Sequence, residues 1–388
     1  MRYCRVILGP DMVRLGIIGT GNIGQQHLTL ITSGAIEGAL LTATASRSAA
    51  TKTKDIQHFD NYLDMLDSDA IDAVLIATPT MNHIECALAA IQRGIHVLME
   101  KPIAMSVAEA SSLIDQVPPD IQLAVMLNQR FHPAYSRLKQ LMDDAVIGRL
   151  NRFNWTMTAW YRPDIYYRVS SWRGTWPGEG GGLLINQCIH NLDIMQWLFG
   201  LPTSLMAKIG FGRFHDIEVE DDVTTIMNYP ENVTGVLIAS SGEAPGINRL
   251  EIVGDLGLIT FDGNDISLQQ ADQSISEHCA MTKEMFGMPN FSQQGVPPGE
   301  DINQHATVIQ NFVNAIALGE PLLTPGEAGL GSLKLANAML LSAWQNSEVS
   351  LPIETALFRD ALDKKIDASS LRQPEDLEVE IDMEKSYR

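Results

Sequence analysis

Lys101 and His190 are the two side chains in this sequence whose type and setting suit the handling of a proton and a developing charge. Lys101 stands in Glu100-Lys101-Pro102, directly after the apolar run Ile95-His96-Val97-Leu98-Met99. That run reads as a buried parallel strand. The proline removes a backbone donor and biases Lys101 away from helix, so the strand stops there. An ammonium is thereby presented at a strand's carboxyl end, where open α/β sheets place their ligands. A surface lysine before a turn has the same local pattern, so the weight of Lys101 depends on what surrounds it. His190 lies on a helix predicted from Leu183 to Phe199 and stopped by Gly200 and Pro202. Asn186 and His190 are four apart and share a helix face, with Asp193 on the flank. An imidazole titrates near neutrality and can take or return a proton. A lysine N–H can stabilise negative charge growing on an oxygen.

The elements before Lys101 are those of a nucleotide fold. Val13 to Gly19 reads as a short strand running into Gly19-Thr20-Gly21-Asn22-Ile23-Gly24, and a helical stretch follows to about Ser33. This is GxGxxG with a strand before it and a helix after it, the context that makes it informative. The first glycine allows the tight turn, the second lets a pyrophosphate approach, and the third lets helix pack on strand. The helix start supplies N–H groups and a positive dipole end. Further buried strands are predicted at Leu40 to Ala45, Ala73 to Ala77 and Leu123 to Leu127, with helices at Glu85 to Gly94 and Val107 to Val117. Alternating β and α at this spacing predicts a doubly wound parallel sheet. Ser46-Arg47-Ser48 stands at the end of the second strand, where an NAD site carries an acid for the ribose. A guanidinium between hydroxyls suits a 2′-phosphate instead.

After Asn128-Gln129-Arg130-Phe131 and a helix at about Ala134 to Asp144, the apolar period changes to two. Arg152 to Trp160, Leu205 to Phe214, Val223 to Tyr229, Val233 to Ser240, Glu251 to Val253 and Leu258 to Phe261 predict an antiparallel sheet with one covered face. Between the first two runs, Tyr161 to Trp176 holds three tyrosines, two tryptophans, Arg162, Arg168 and Arg173. Aromatic faces beside hydrogen-bonding arms are what a sugar ring needs, so Tyr161, Arg162, Trp172, Arg173 and Trp176 are expected to contact a carbohydrate. The acidic stretch Gly212 to Asp222 reads as a solvated rim, and no metal is predicted. Residues 276–301, with Met281, Met285, Met288 and Phe291, form a long stretch that could serve as a lid or a partner-subunit arm. Helices near Gln304 to Leu318 and Gly326 to Asn346 are expected to finish the second domain, and residues 355–388 to form a charged peripheral tail.

The 388 residues are too many for one core, so two domains are expected. The 47 acids against 27 bases give a net charge of −20, which repels phosphate backbones and anionic lipid. Nucleic-acid and membrane partners are set aside on that ground. Cys4, Cys86, Cys188 and Cys279 are scattered, as free thiols in a reducing cytoplasm would be. Residues 1–11 have no secretory pattern and are expected to be a disordered or artefactual extension.

GxGxxG, then Ala77-Thr78-Pro79-Thr80 with Asn82-His83, then Glu100-Lys101-Pro102 after a strand, resembles the glucose–fructose oxidoreductase/inositol dehydrogenase/MocA family of NAD(P)-dependent enzymes. The resemblance spans about residues 12–354. It implies an N-terminal Rossmann domain at 12–132 and an open, mainly antiparallel α+β domain at 133–354, with helices on one face of the sheet. It also implies a homodimer or homotetramer through that sheet. Lys101 matches the lysine that sits beside the nicotinamide, and His190 the acid/base histidine of a D-x-x-x-H helix. Asn186 stands where that pattern has its acid, which puts a carboxylate role there in doubt. An amide can still hold a substrate hydroxyl. The implied cofactor is NAD(P), with NADP favoured by Ser46 and Arg47. Gly19, Thr20, Gly21, Asn22, Ile23, Gly24, Thr78, Pro79, His83, Glu100, Lys101 and Gln129 are the other expected contacts. The implied activity is hydride transfer to or from a secondary hydroxyl or ketone of a sugar, polyol or glycoside. A redox-neutral NAD-dependent glycosidase and a non-catalytic nucleotide and sugar sensor are the alternatives within the same fold.

Overall fold

The structure is a computed structural model, and it describes residues 12–47, 55–263 and 265–381. The expected extension 1–11 and Ser48 lie outside the described residues. The chain forms two compact units, one running to Asn128 and adding Asn303–Leu330, the other comprising Gln129–Ile302 and the chain from Gly331.

The first unit is built on six parallel strands, β1 (Val13–Ile18), β2 (Ala39–Ala45), β3 (Gln57–Phe59), β4 (Ala73–Ile76), β5 (His96–Met99) and β6 (Leu123–Val125). Their order is β3-β2-β1-β4-β5-β6. Every residue of β4 is buried, as a strand covered on both faces requires. Helices Asn22–Thr32, His83–Ile91 and Val107–Ile114 follow β1, β4 and β5. The last starts at a capping box in which Ser106 and Glu109 satisfy each other's backbone N–H groups. The order reverses between β1 and β4, which makes their carboxyl ends the switch point where such sheets bind ligands. Helix Gln304–Leu318, expected in the second domain, belongs here, and Gln310 bonds the backbone of Glu37. Its periodic pattern predicted a helix correctly but carried no information about which core would bury it.

The second unit has nine strands in the order β14-β13-β12-β11-β7-β10-β9-β8-β15. These are β7 (Leu150–Met157), β8 (Ser204–Phe211), β9 (Glu220–Asn228), β10 (Thr234–Ser240), β11 (Asn248–Gly254), β12 (Gly257–Phe261), β13 (Ile266–Ala271), β14 (Phe291–Val296) and β15 (Val349–Ser350). Among the described residues of this sheet, only β7 and β10 pair in parallel. Alternate residues such as Phe153, Trp155, Leu237, Leu250 and Ile252 are buried on one face. The other face is open, with Met206 and Ile226 paired across β8 and β9 and each about half exposed. Within 276–301 the chain forms helix Ile275–Met281 and then edge strand β14, although Met281, Met285, Phe286 and Met288 remain exposed. The expected tail also contains structure. Helix Thr355–Asp367 buries Phe358 and Leu362, and Phe358 stacks on Trp344. Two apolar residues among many charges were enough to dock it. No helix among the described residues is long and apolar enough to cross a membrane.

Candidate functional site

At the switch point of the first unit, each glycine of the motif behaves as its spacing demands. Gly19 has φ +92°, and a Cβ there would lie 2.6 Å from the Ala77 carbonyl oxygen. A Cβ on Gly24 would lie 2.0 Å from the Gly19 oxygen. A Cβ on Gly21 would meet nothing within 4 Å. The two outer glycines are therefore consumed by packing, whereas the middle one borders open space where a phosphate could approach. Gly21 also caps helix Asn22–Thr32 without a side-chain hydrogen bond, so Asn22, Ile23 and Gly24 are on a helix turn not sealed by a capping side chain. Thr20 Oγ1 donates to Ser46 Oγ at 2.8 Å, tying the ends of β1 and β2, with Arg47 exposed beside them. The Thr78 hydroxyl, after β4, is buried without a hydrogen-bond partner, a polar atom suited to a ligand. These features fit a dinucleotide.

Pro79 opens the turn to His83, whose ring lies between two backbone carbonyls, Pro102 at 2.8 Å and Thr78 at 2.9 Å. Burial pushes the His83 pKa down, which favours a neutral ring that donates to one of them. His83 thus links the loop after β4 to the loop after β5. Glu100 is buried, and its carboxylate meets His27 Nε2 at 2.7 Å. Burial alone would raise its pKa, but the His27 hydrogen bond and the nearby His27, His305 and Lys101 charges bring it down to about 2. Burial pushes His305 down to about 4. A carboxylate beside Lys101 is therefore kept ionised from within the fold. His27 and His305 were not expected here. The signal for His27 was its place three residues past Gly24, on the sheet-facing side of the same helix.

In the second unit the helix carrying His190 runs Ile189–Phe199, six residues shorter at its start than expected. Residues 183–188 form turns, because the buried Glu220 carboxylate takes the Gly182 and Leu184 N–H groups at 2.8 and 3.0 Å. Burial raises the Glu220 carboxyl to about 7, and the Glu179 charge adds to the effect. His190 is buried. Its helix is held from two sides. Trp160 Nε1 donates to Asn191 Oδ1 at 2.8 Å, and Arg130 makes a two-pronged bond to Asp193 at 2.8 and 2.7 Å. Gln129 lies beside Arg130 in the short helix Asn128–Phe131.

The aromatic and guanidinium groups expected to face a sugar largely face each other. Tyr166 lies between Arg162 and Arg173, with guanidinium carbons 5.4 and 4.2 Å from its ring centre. Arg173 also covers Trp172 at 4.9 Å, and Arg162, itself buried, donates to the Tyr161 carbonyl. Tyr161 is exposed. Trp176, expected to contact a substrate, is buried against Trp344 and Phe211, with Lys365 over its ring. Its faces are spent on the interior, since helix Thr355–Asp367 docks there. Asn186 is partly exposed and donates to Glu179 and Tyr166. In the acidic stretch, Asp221 accepts from the backbone of Arg213, Phe214 and His215 and from the His215 ring, which pins that loop.

A family model described as "Oxidoreductase family, NAD-binding Rossmann fold" matches residues 13–119, and "GFO/IDH/MocA C-terminal domain" matches residues 135–260. Together they match more than half of the chain. Myo-inositol 2-dehydrogenase of Thermotoga maritima is 22% identical over 87% of this chain and 98% of its own. Rhizopine catabolism protein MocA of Rhizobium meliloti is 32% identical, over 48% of this chain and only 57% of its own length. Among solved structures, the WlbA dehydrogenase of C. violaceum in complex with NADH and UDP-GlcNAcA is similar at 25% identity and a TM-score of 0.76. That match covers 89% of this chain and 97% of the other. A levoglucosan dehydrogenase, 21% identical with a TM-score of 0.73 over 88% of this chain and all of its own, shares the fold.

Proposed function

Because the chain belongs to the glucose–fructose oxidoreductase/inositol dehydrogenase/MocA family of oxidoreductases, we propose that it is a NAD(P)-dependent dehydrogenase. It moves a hydride between the nicotinamide and a secondary hydroxyl or ketone of a sugar, polyol or glycoside. The observation that carries this reading is the set of groups on three neighbouring strand ends, β1, β4 and β5. They are the glycine turn with open space at Gly21, the Thr78 hydroxyl, and Lys101 beside the ionised Glu100. Gly19 to Gly24, Ser46, Arg47, Thr78 and Pro79 would hold the nucleotide, with His83 shaping the loop behind them. When bound, it supplies the hydride acceptor. The role inferred for His190 is that of the base for the hydroxyl proton, and the role inferred for Lys101 is that of a donor that stabilises developing negative charge. Asn186 and the exposed Tyr161 orient the ring.

The test is absorbance at 340 nm with NAD+ or NADP+ across sugars, polyols and glycosides, myo-inositol and levoglucosan among them, with aglycone release followed in parallel. Reduced nucleotide accumulating with one substrate is the expected result. Aglycone release without it would replace this reading with redox-neutral glycoside cleavage, and silence in both would leave a sensor. Ser46-Arg47-Ser48, and no acid, directly follows β2 in the sequence, and this hydroxyl–guanidinium pairing favours NADP, although the two solved structures named above hold NADH. Arg47→Ala should raise KM for NADP+ roughly tenfold with little effect on NAD+. An equal change in both overturns the NADP preference.

The row Met206, Ile226 and Val236 on the open sheet face supports a homo-oligomer formed through that face. Sedimentation should find a species of two or four chains, reduced to one chain by Ile226→Asp. A wild-type monomer at assay concentration removes this part of the reading.

A further inference from the structure

We propose that Glu220 is a positioning residue that sets where the His190 helix begins, and so where His190 stands for catalysis, by clamping the glycine-rich turn before it. The inference rests on the function proposed above and deepens it. Glu220 opens β9 and is fully buried. Its side chain and its backbone grip three consecutive residues. Oε1 accepts from the Gly182 and Leu184 N–H groups at 2.8 and 3.0 Å, and the Glu220 carbonyl accepts from the Leu183 N–H at 2.9 Å. Glycine permits this close approach, since a Cβ on Gly182 would lie 2.4 Å from the Glu220 carbonyl oxygen. The backbone passes the grip onward. The Gly182 carbonyl accepts from the Asn186 N–H at 2.8 Å, and the Leu183 carbonyl accepts from the Cys188 N–H at 2.7 Å. Cys188 caps helix Ile189–Phe199 without a side-chain capping bond, so its backbone bond to Leu183 places the cap. His190 is the second residue of that helix. A shift at 182–184 therefore reaches the imidazole through one further hydrogen bond.

The clamp needs reach rather than charge. Both N–H groups converge on one oxygen, and a glutamine oxygen has the two lone pairs to accept them. Oε2 is buried without a hydrogen-bond partner among the described residues, so an amide NH2 in its place breaks no bond. Burial pushes the carboxyl up to about 7, so a neutral side chain of this shape is already present near neutrality. Aspartate keeps the charge but is one methylene too short to hold both N–H groups from the same backbone position.

The experiment compares Glu220→Asp, Glu220→Gln and Gly182→Ala with wild type in thermal melts, steady-state kinetics and amide hydrogen exchange of the peptide 182–192. The substrate is the fastest member of the panel, and kinetics are run below the lowest melting temperature. Glu220→Asp should lower kcat roughly a hundredfold, the loss that follows a misplacement of about 1 Å. Nucleotide KM should not change, and exchange across 182–192 should accelerate. Gly182→Ala, which wedges the turn off the Glu220 carbonyl and keeps the carboxyl, should share both changes. Glu220→Gln should restore kcat and slow exchange, even if its melting temperature differs. Wild-type kcat in Glu220→Asp or Gly182→Ala, with only the melting temperature lowered, would reduce the clamp to a structural bond and overturn the positioning role. A Glu220→Gln as slow as Glu220→Asp would assign the effect to charge and overturn it too. A wild-type chain silent across the panel sinks the dehydrogenase reading and this inference with it, an outcome seen before any variant is made.

Discussion

Lys101→Ala and His190→Ala are each expected to lower kcat by about 100- to 10,000-fold while nucleotide still binds. A positioned general base contributes roughly two to four orders of magnitude. A preorganised donor to a developing oxyanion contributes roughly two to three. Neither residue lies in the glycine turn that would hold the phosphates. Quenching of tryptophan fluorescence by NADH should therefore persist in both variants. Lys101→Arg should not rescue, because a planar guanidinium replaces a compact ammonium. Wild-type-like turnover in either alanine variant would remove that residue from the mechanism. Loss of nucleotide binding together with turnover would assign Lys101 to binding instead.

Arg130→Ala is expected to destabilise the second unit by about 3–5 kcal/mol, the cost of leaving a buried charge without its partner. Asp193 is 2% exposed on its side chain and receives both prongs of the guanidinium. Burial pushes the Asp193 pKa up, and Arg130 pulls it down. Without Arg130 only the upward push and the Gln196 bond remain. The folded state then holds a proton that the unfolded state releases, so the variant's stability falls as pH rises through the carboxylate range and beyond. Urea midpoints at acid and neutral pH should show the deficit growing with pH. Arg130→Met with Asp193→Leu should lie much closer to wild type than Arg130→Ala. A deficit independent of pH, or a double variant no better than the single, rules out a buried ion pair as the cause.

Asp193 is three residues beyond His190 on the same helix, so this pair also holds the residue proposed as the base. Its strength could not be read locally, because Arg130 is 63 positions away in the chain. The same holds for Glu220, which ends the turns before His190 from 36 and 38 residues away, and for Trp176, whose ring is claimed by a helix beginning at Thr355. Strand β13 and the edge strand β14 escaped the period-two reading because their outward residues and some of their inward ones are polar. The edge position of β14 buries too little to demand otherwise.

Features governed by neighbours in the chain were legible in the sequence alone. The glycine turn, the apolar parallel strands, the Lys101 strand end and the alternating sheet each follow from spacing, because backbone sterics and side-chain periodicity act over a few residues. Only the tertiary structure decided which core received helix Gln304–Leu318 and where the His190 helix begins. Those outcomes depend on buried charges and carbonyls finding partners dozens of residues away, and a local pattern does not encode who the partner is.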